Sequence, residues 1–361
     1  MPVTPNSAGA FLTINLKQIA ENWKNCQHHG AVAGAVVKAN AYGYGMKPIV
    51  RALYKAGCRI FFTAYEFEAA EVKEFLQKDD VKVYVLHGVL NGTEVDFLKS
   101  GAVPVLSTLD QIRRWNHQGD KENILLPAAL HIDSGMSRLG LTPSDIDELV
   151  KNPPKYLNVE LVISHLACAS DQNNPKSLEQ YDMFTSGCDK LKKVFPNFKK
   201  SLSATDGIMF NDPRFDQDVT RPGHLLYDKV ATSLDAKILQ IQTAYPGQTV
   251  GYGATYKVEK EMKIATLAIG YADGYPRSCS NTCFVYVGDY KCPVIGRVSM
   301  DLTTIDVTDV DEQTLKTTPT AEIFGTHQTA DEAVIPGGTI DDELTTCFSS
   351  RFYRIYEGDE E

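Results

Sequence analysis

The sequence predicts an α/β protein: an N-terminal (β/α)8 barrel followed by a mostly β C-terminal domain. Three observations predict it. The first two-thirds of the 361 residues alternate short β-branched runs with longer stretches of helical spacing. The pattern alone would also allow a doubly wound sheet, but the candidate strands reach the number a closed barrel needs, with no element to spare. From about Ala231 the rhythm changes to alternating apolar and polar residues between Gly-, Pro- and Asp-rich turns.

The barrel strands are expected at residues 33–38, 59–63, 82–86, 103–107, 128–133, 159–165, 201–205 and 219–221. Helical spacing fills 48–56, 66–77, 109–117, 143–151 and 180–195 between them. Thr142 before Pro143 and Asp145 marks a helix N-terminus, because a hydroxyl can cap the first free amides and proline suits the first turn. The β-rich part alternates at 237–243, 263–269, 283–287 and 303–307, with Gly288-Asp289 as a turn. The boundary is drawn at 11–230 for the barrel and 231–361, together with 1–10, for the β-rich domain. The alternating AFLTIN at 10–15 precedes the barrel and is a candidate strand of the second domain. Residues 357–361 form an acidic tail expected to be solvated.

Composition narrows the function classes. A net charge of −10 argues against nucleic acid or an anionic membrane as the main partner, since both reward an excess of Lys and Arg. No basic segment leads into an apolar run at the N-terminus, and no stretch of ~18 apolar residues occurs, so no membrane span and a cytoplasmic location are expected. The 8 cysteines are scattered, and free thiols are expected in a chain with a core this size. Cys279 and Cys283 lie close but have no second pair at metal-site spacing, so no metal is expected.

The chemistry-bearing segments fall at predicted strand ends. In VVKANAYGYG (36–45) an apolar strand runs into Lys38, and the C-terminal end of a barrel strand is where active sites sit. A lysine flanked by apolar residues can be held neutral and form an imine with an aldehyde; the plainer reading is a lysine that leaves the barrel into water. HIDSGMSRLG (131–140) projects Arg138, whose fork suits a carboxylate as well as an ordinary surface ion pair. VISHLA (162–167) places His165, a residue type more often structural than catalytic in such surroundings. SLSATDG (201–207) and RPGHL (221–225) close the seventh and eighth strands, where barrels bind phosphate through small residues and backbone N–H groups. In VGYGATY (250–256), Tyr252 sits between Gly251 and Gly253 on a bent loop, while Tyr256 is a competing tyrosine; core packing is the usual fate of both.

These strings, in this order along nearly the whole chain, resemble the alanine racemase family. The resemblance implies pyridoxal 5′-phosphate (PLP) held covalently by Lys38. It implies Tyr42, Thr205, Gly223 and His224 at the cofactor phosphate, and Arg221 at the pyridine nitrogen with His165 in support. It implies Arg138 on the substrate carboxylate, and Lys38 and Tyr252 as two acid/base groups on opposite faces of the substrate. Tyr252, with Tyr271, Met300 and Asp301 from IGYADGYPR (269–277) and GRVSMD (296–301), would come from the other subunit of a homodimer.

An arginine gives up no proton, so the ring nitrogen beside it stays unprotonated and side reactions are limited. The implied function is racemisation of a small amino acid, L-alanine to D-alanine first. Two departures stand out. The family often carries a carbamylated lysine where this chain has His131, and a pocket tyrosine where this chain has Ser350. The second opens serine, or a broader substrate range, as an alternative. A PLP decarboxylase of the same architecture would show an acidic partner for the ring nitrogen and a catalytic cysteine motif. A non-catalytic PLP carrier would have no use for Tyr252 and Met300.

Overall fold

A computed structural model describes residues 3–228 and 231–358. The chain divides into two compact units, one of Ile19–Ala41 and Met46–Leu226, the other of Met1–Gln18, Tyr42–Gly45 and Tyr227–Glu361. In chain order the strands begin with β1 (Ala10–Asn15), β2 (Val32–Ala33), β3 (Ala35–Val36), β4 (Ile60–Thr63), β5 (Lys82–Val85) and β6 (Val103–Leu106). They continue with β7 (Leu126–His131), β8 (Leu157–Ile163), β9 (Lys199–Ser201) and β10 (Val219–Thr220).

Strands β3 to β9 pair in parallel in chain order. β10 pairs in parallel with β2. Gly34 links β2 to β3, donating to Thr220 O at 2.9 Å while Val36 N donates to Pro222 O at 2.9 Å. A bridge between Ala204 and Arg221 joins the ends beyond β9 and β10. The pairing thus returns to where it began, and β2 and β3 act as one strand of a closed (β/α)8 barrel. Glycine is required at position 34 because a Cβ there would lie 2.6 Å from the Phe62 ring.

The strands are apolar on both faces because helices cover the outside. Phe61, Phe62, Val83, Val85, Val105 and Ala128 are buried. The helix Met46–Ala56 buries Met46, Ile49, Val50 and Leu53, one stripe at the helical period. The helix Pro143–Lys151 starts at a capping box, with Thr142 Oγ1 accepting from Asp145 N and Asp145 Oδ2 accepting from Thr142 N at 2.9 Å.

Several barrel elements differ from expectation, and the first strand ends at Val36, short of Lys38. The seventh strand is Lys199–Ser201, and Thr205 opens a helical turn, Thr205–Ile208, rather than ending a strand. There Ser203 Oγ donates to Phe215 O at 2.9 Å, drawing the chain out of the sheet. The helix expected at 109–117 runs to Glu122, because Gly119 packs on Tyr156 and the stop comes only at left-handed Asn123.

The other unit holds β11 (Thr232–Ala244), β12 (Thr249–Val250), β13 (Tyr256–Lys257), β14 (Met262–Leu267) and β15 (Phe284–Val287). It also holds β16 (Tyr290–Pro293), β17 (Thr303–Asp306), β18 (Thr320–Phe324) and β19 (Tyr353–Glu357). Its main sheet runs β16-β15-β18-β11-β1-β19, and β14 joins β11 to β17. β1 pairs antiparallel with β11 and parallel with β19, so the boundary drawn at residue 11 cuts through a strand of this sheet. Ala10, Leu12 and Ile14 are its buried face. Gly288-Asp289 turns the chain between β15 and β16. Among the described residues no helix is long and apolar enough to cross a membrane.

Candidate active site

Lys38 lies two residues past β3 and opens the turn Lys38–Tyr42. Ala39, Asn40, Ala41 and Tyr42 all take positive φ, between 52 and 55°. Four consecutive non-glycine residues in the left-handed region cost about 1–2 kcal/mol each, and such strain is characteristic of functional sites. Two side chains hold the turn: Glu68 Oε1 accepts from Ala39 N at 2.6 Å, and Asn40 Oδ1 accepts from Met46 N at 2.9 Å.

The loop after β7 carries Arg138. Asp133 Oδ1 accepts from Gly135 N, Met136 N and Ser137 N at 2.9–3.1 Å, winding the loop around one carboxylate. Leu141 N returns to His131 O at 2.7 Å. The exposed Arg138 therefore projects from a braced loop. His131 is nearly buried, and its Nδ1 has no hydrogen-bond partner among the described residues.

After β8, Ser164 Oγ donates to Ile132 O at 2.8 Å and meets Ser134 Oγ at 2.7 Å. The wholly buried Gln180 braces the next residues, donating to His165 O at 2.9 Å and accepting from Ala167 N at 2.7 Å. After β10, Arg221 is 4% exposed. Its Nη1 donates to Ser201 O and Oγ, and its Nη2 to Ser164 O and Leu202 O, at 2.5–3.3 Å. These use four of the five guanidinium N–H groups and leave Nε–H without an acceptor among the described residues. Burial pushes Arg221 down to about 10, so it remains a cation at neutral pH. Its partners are hydroxyl and carbonyl oxygens rather than a carboxylate. Thr205 Oγ1 accepts from Gly223 N at 3.2 Å and Leu225 N at 3.4 Å, and His224 opens the turn His224–Tyr227.

The electrostatics show that these strand ends converge. His165 is pushed down to about 3, by burial first, then by Arg221, Arg138, His131 and Lys38. His131 is pushed down to about 4, by burial, then Arg221 and Arg138, with Asp133 opposing. Arg221 and Arg138 thus act on both imidazoles, and Lys38 on His165, and both imidazoles stay neutral at physiological pH. A buried, unneutralised cation with a donor to spare calls for an acceptor or an anion.

Comparisons with known proteins cover nearly the whole chain. Residues 14–229 match the alanine racemase N-terminal domain and residues 231–356 its C-terminal domain. The chain belongs to the alanine racemase family. The alanine racemase of Rhodospirillum rubrum is 37% identical over 97% of this chain and 96% of its own length. That of Rickettsia canadensis is 36% identical over 96% and 98%. The crystal structure of alanine racemase from Bartonella henselae with covalently bound pyridoxal phosphate superimposes with a TM-score of 0.90 at 33% identity, covering 97% of this chain and 99% of that one. Like its relatives, this alanine racemase family member is an isomerase.

The remaining expected residues of this racemase family chain lie in the other unit. Tyr42 is buried there against Tyr227, ring centroids 5.1 Å apart, and burial holds its phenol well above the usual range. The two competing tyrosines separate cleanly. Tyr256 packs against a core cluster with Val250, Val258 and Met262, whereas Tyr252 is 73% exposed on a turn between Gly251 and Gly253, both at positive φ. Tyr271 and Met300 are also exposed, and their loops are zipped together: Tyr271 N donates to Ser299 O at 3.0 Å and Ala272 N to Met300 O at 2.9 Å. Arg351 clamps the same loops, with Nε 2.7 Å from Asp273 and Nη1 2.7 Å from Asp301. Ser350, the departure next to it, is exposed.

Glu68, Asp133, Gln180, Ser164, Ser201 and Arg351 escaped the sequence reading. Only two had a usable signal: Asp133-Ser-Gly after a strand is an Asx-turn pattern, and Glu68 is an acid in the first turn of a helix.

Proposed function

We propose that this protein racemises a small amino acid, L-alanine to D-alanine foremost, with pyridoxal 5′-phosphate held by Lys38. The observation that carries the reading is the convergence of Lys38, Arg138 and Arg221 on neutral His165 at the barrel's strand ends. It matches a cofactor with an aldehyde, a ring nitrogen and a phosphate, and a substrate with a carboxylate. The residues fit that group. Arg221 keeps Nε–H for a ring acceptor, Lys38 supplies the amine, and the Thr205 hydroxyl with the Gly223 amide supplies polar groups for a phosphate, joined by His224. The Bartonella henselae relative binds pyridoxal phosphate covalently.

When bound, the cofactor supplies an electron-withdrawing ring that acidifies the substrate's α-hydrogen. The chain's own residues do the rest. Arg138 orients the carboxylate so that Cα faces the bases. Lys38 Nζ takes the proton from the D isomer and returns it in the reverse direction. Tyr252 Oη, from a second copy of the chain, does the same for the L isomer on the opposite face. Arg221 donates a hydrogen bond to the ring nitrogen without giving up its proton, which limits transamination. Met300, Tyr271 and Asp301 shape the substrate entrance.

A chiral separation of products from a panel of L-amino acids tests the reading, with D-alanine expected to form fastest. Serine ahead of alanine would favour the alternative that the exposed Ser350 raises. Tyr252→Phe should lose racemisation while retaining the yellow absorbance of bound cofactor. Full activity in that variant would remove Tyr252 from the mechanism, and wild-type protein that takes up no cofactor under borohydride would end the proposal.

A further inference from the structure

The turn that carries Lys38 continues through four left-handed residues, none of them glycine, whose backbone preferences all oppose it. Something outside the turn must hold it. Glu68 stands in the first turn of the helix Glu66–Leu76, on the next βα segment of the barrel. Its two carboxylate oxygens do different things. Oε2 accepts from Ala64 N at 2.8 Å and Tyr65 N at 3.0 Å, an ordinary satisfaction of amides at a helix start. Oε1 turns away from the helix and accepts the amide of Ala39, the residue after Lys38, at 2.6 Å. A helix cap needs only one of these oxygens. The second ties the end of the first barrel strand to the end of the next.

We propose that Glu68 is a positioning residue for Lys38. It fixes the peptide that follows the lysine, and so the direction in which the side chain leaves the barrel. A carboxylate suits the task because its two oxygens accept from both directions, which no amide side chain can do. Asn40 reinforces the far side of the same turn by accepting from Met46 N. The assignment rests on the racemase reading for its kinetic consequence and on the backbone geometry for the rest.

Glu68→Gln tests it selectively. Glutamine keeps one acceptor oxygen for Ala64 and Tyr65, but its NH2 then faces the Ala39 N–H, donor against donor. In cofactor-free protein, amide hydrogen exchange should speed up at Ala39 while the helix Glu66–Leu76 keeps its protection. In the loaded enzyme kcat should fall by about tenfold or more in both directions while KM moves by less, since misplacing a reacting group costs turnover more than binding. Glu68→Asp, which keeps the charge but shortens the reach, should show the same split. Unchanged exchange at Ala39, or faster exchange with unchanged kcat, overturns the proposal. If the wild-type protein itself fails to racemise, the proposed function falls, and the exchange measurement still decides whether Glu68 holds the turn.

Discussion

Arg221 combines burial, full charge and oxygen-only partners, and that combination makes it sensitive to a conservative change. A lysine has three donors on a flexible stem and cannot reproduce a fork that meets Ser201, Ser164 and Leu202 together. Arg221→Lys should destabilise the barrel by about 2 kcal/mol in urea unfolding, because buried carbonyls lose their donors. It should also lower racemase turnover and raise the share of reactions that end in a 2-oxo acid, since an ammonium can give its proton to the ring nitrogen. Turnover and by-product unchanged from wild type would show that Arg221 is only a structural brace.

His131 gives a pH signature at the same scale. Unfolded, its imidazole titrates near 6.5; folded, burial and the neighbouring arginines hold it down to about 4. Protons therefore bind the unfolded chain more tightly, so stability is full above about pH 6.5 and falls as pH drops toward about 4. At ~1.4 kcal/mol per unit the contribution at stake is roughly 3 kcal/mol. Urea midpoints of cofactor-free protein between those pH values should fall with pH, and His131→Gln should make the slope shallower by about half, since the depressed His165 contributes a like share. The sequence placed His131, Lys38, Arg138, His165 and Arg221 at four strand ends but could not say that they meet. Barrel closure alone brings them together, and their partners Gln180, Ser164 and Ser201 carry no motif.

Among the elements, the left-handed turn shows how finely backbone and sequence are matched. Two substitutions, one in it and one just after it, should act in opposite directions. Ala39→Gly removes a left-handed penalty of about 1–2 kcal/mol at an entropic cost of about 0.5–1 kcal/mol, so thermal stability should hold or rise. Gly43→Ala should be severe. Gly43 has φ +84°, and a Cβ there would lie 1.9 Å from Thr345 O, inside any tolerable contact. A loss of about 3 kcal/mol or more is expected by thermal melting, and a variant as stable as wild type would mean that the segment relaxes freely. Strand order and most helix positions were legible because buried parallel strands and one-sided helices have distinct periods. What was not legible follows from tertiary pairing. Thr205 left its strand because Ser203 bonds to Phe215 instead, whereas the alternation at Ala10–Asn15 was enough to assign that strand to the second domain.

For the whole molecule, the exposure of Tyr252, Tyr271 and Met300 on the β-rich unit is the property with the furthest reach. If Tyr252 has the role proposed for it, a phenol left 73% in water would be hard to tune, whereas one capped by a second copy's barrel would be desolvated and aligned. On the proposed reading the chain forms a symmetric dimer, and each site would take Lys38 from one chain and Tyr252 from the other. Lys38→Ala and Tyr252→Phe are each expected to be inactive alone. When the two are unfolded together and refolded as a mixture, half of the dimers are heterodimers. In each of these one site pairs the two altered residues and the other pairs intact Lys38 with intact Tyr252. The mixture should therefore recover about a quarter of wild-type activity, a fraction set by symmetry and random pairing alone. Sites built within single chains would recover nothing, because every chain in the mixture carries one broken residue.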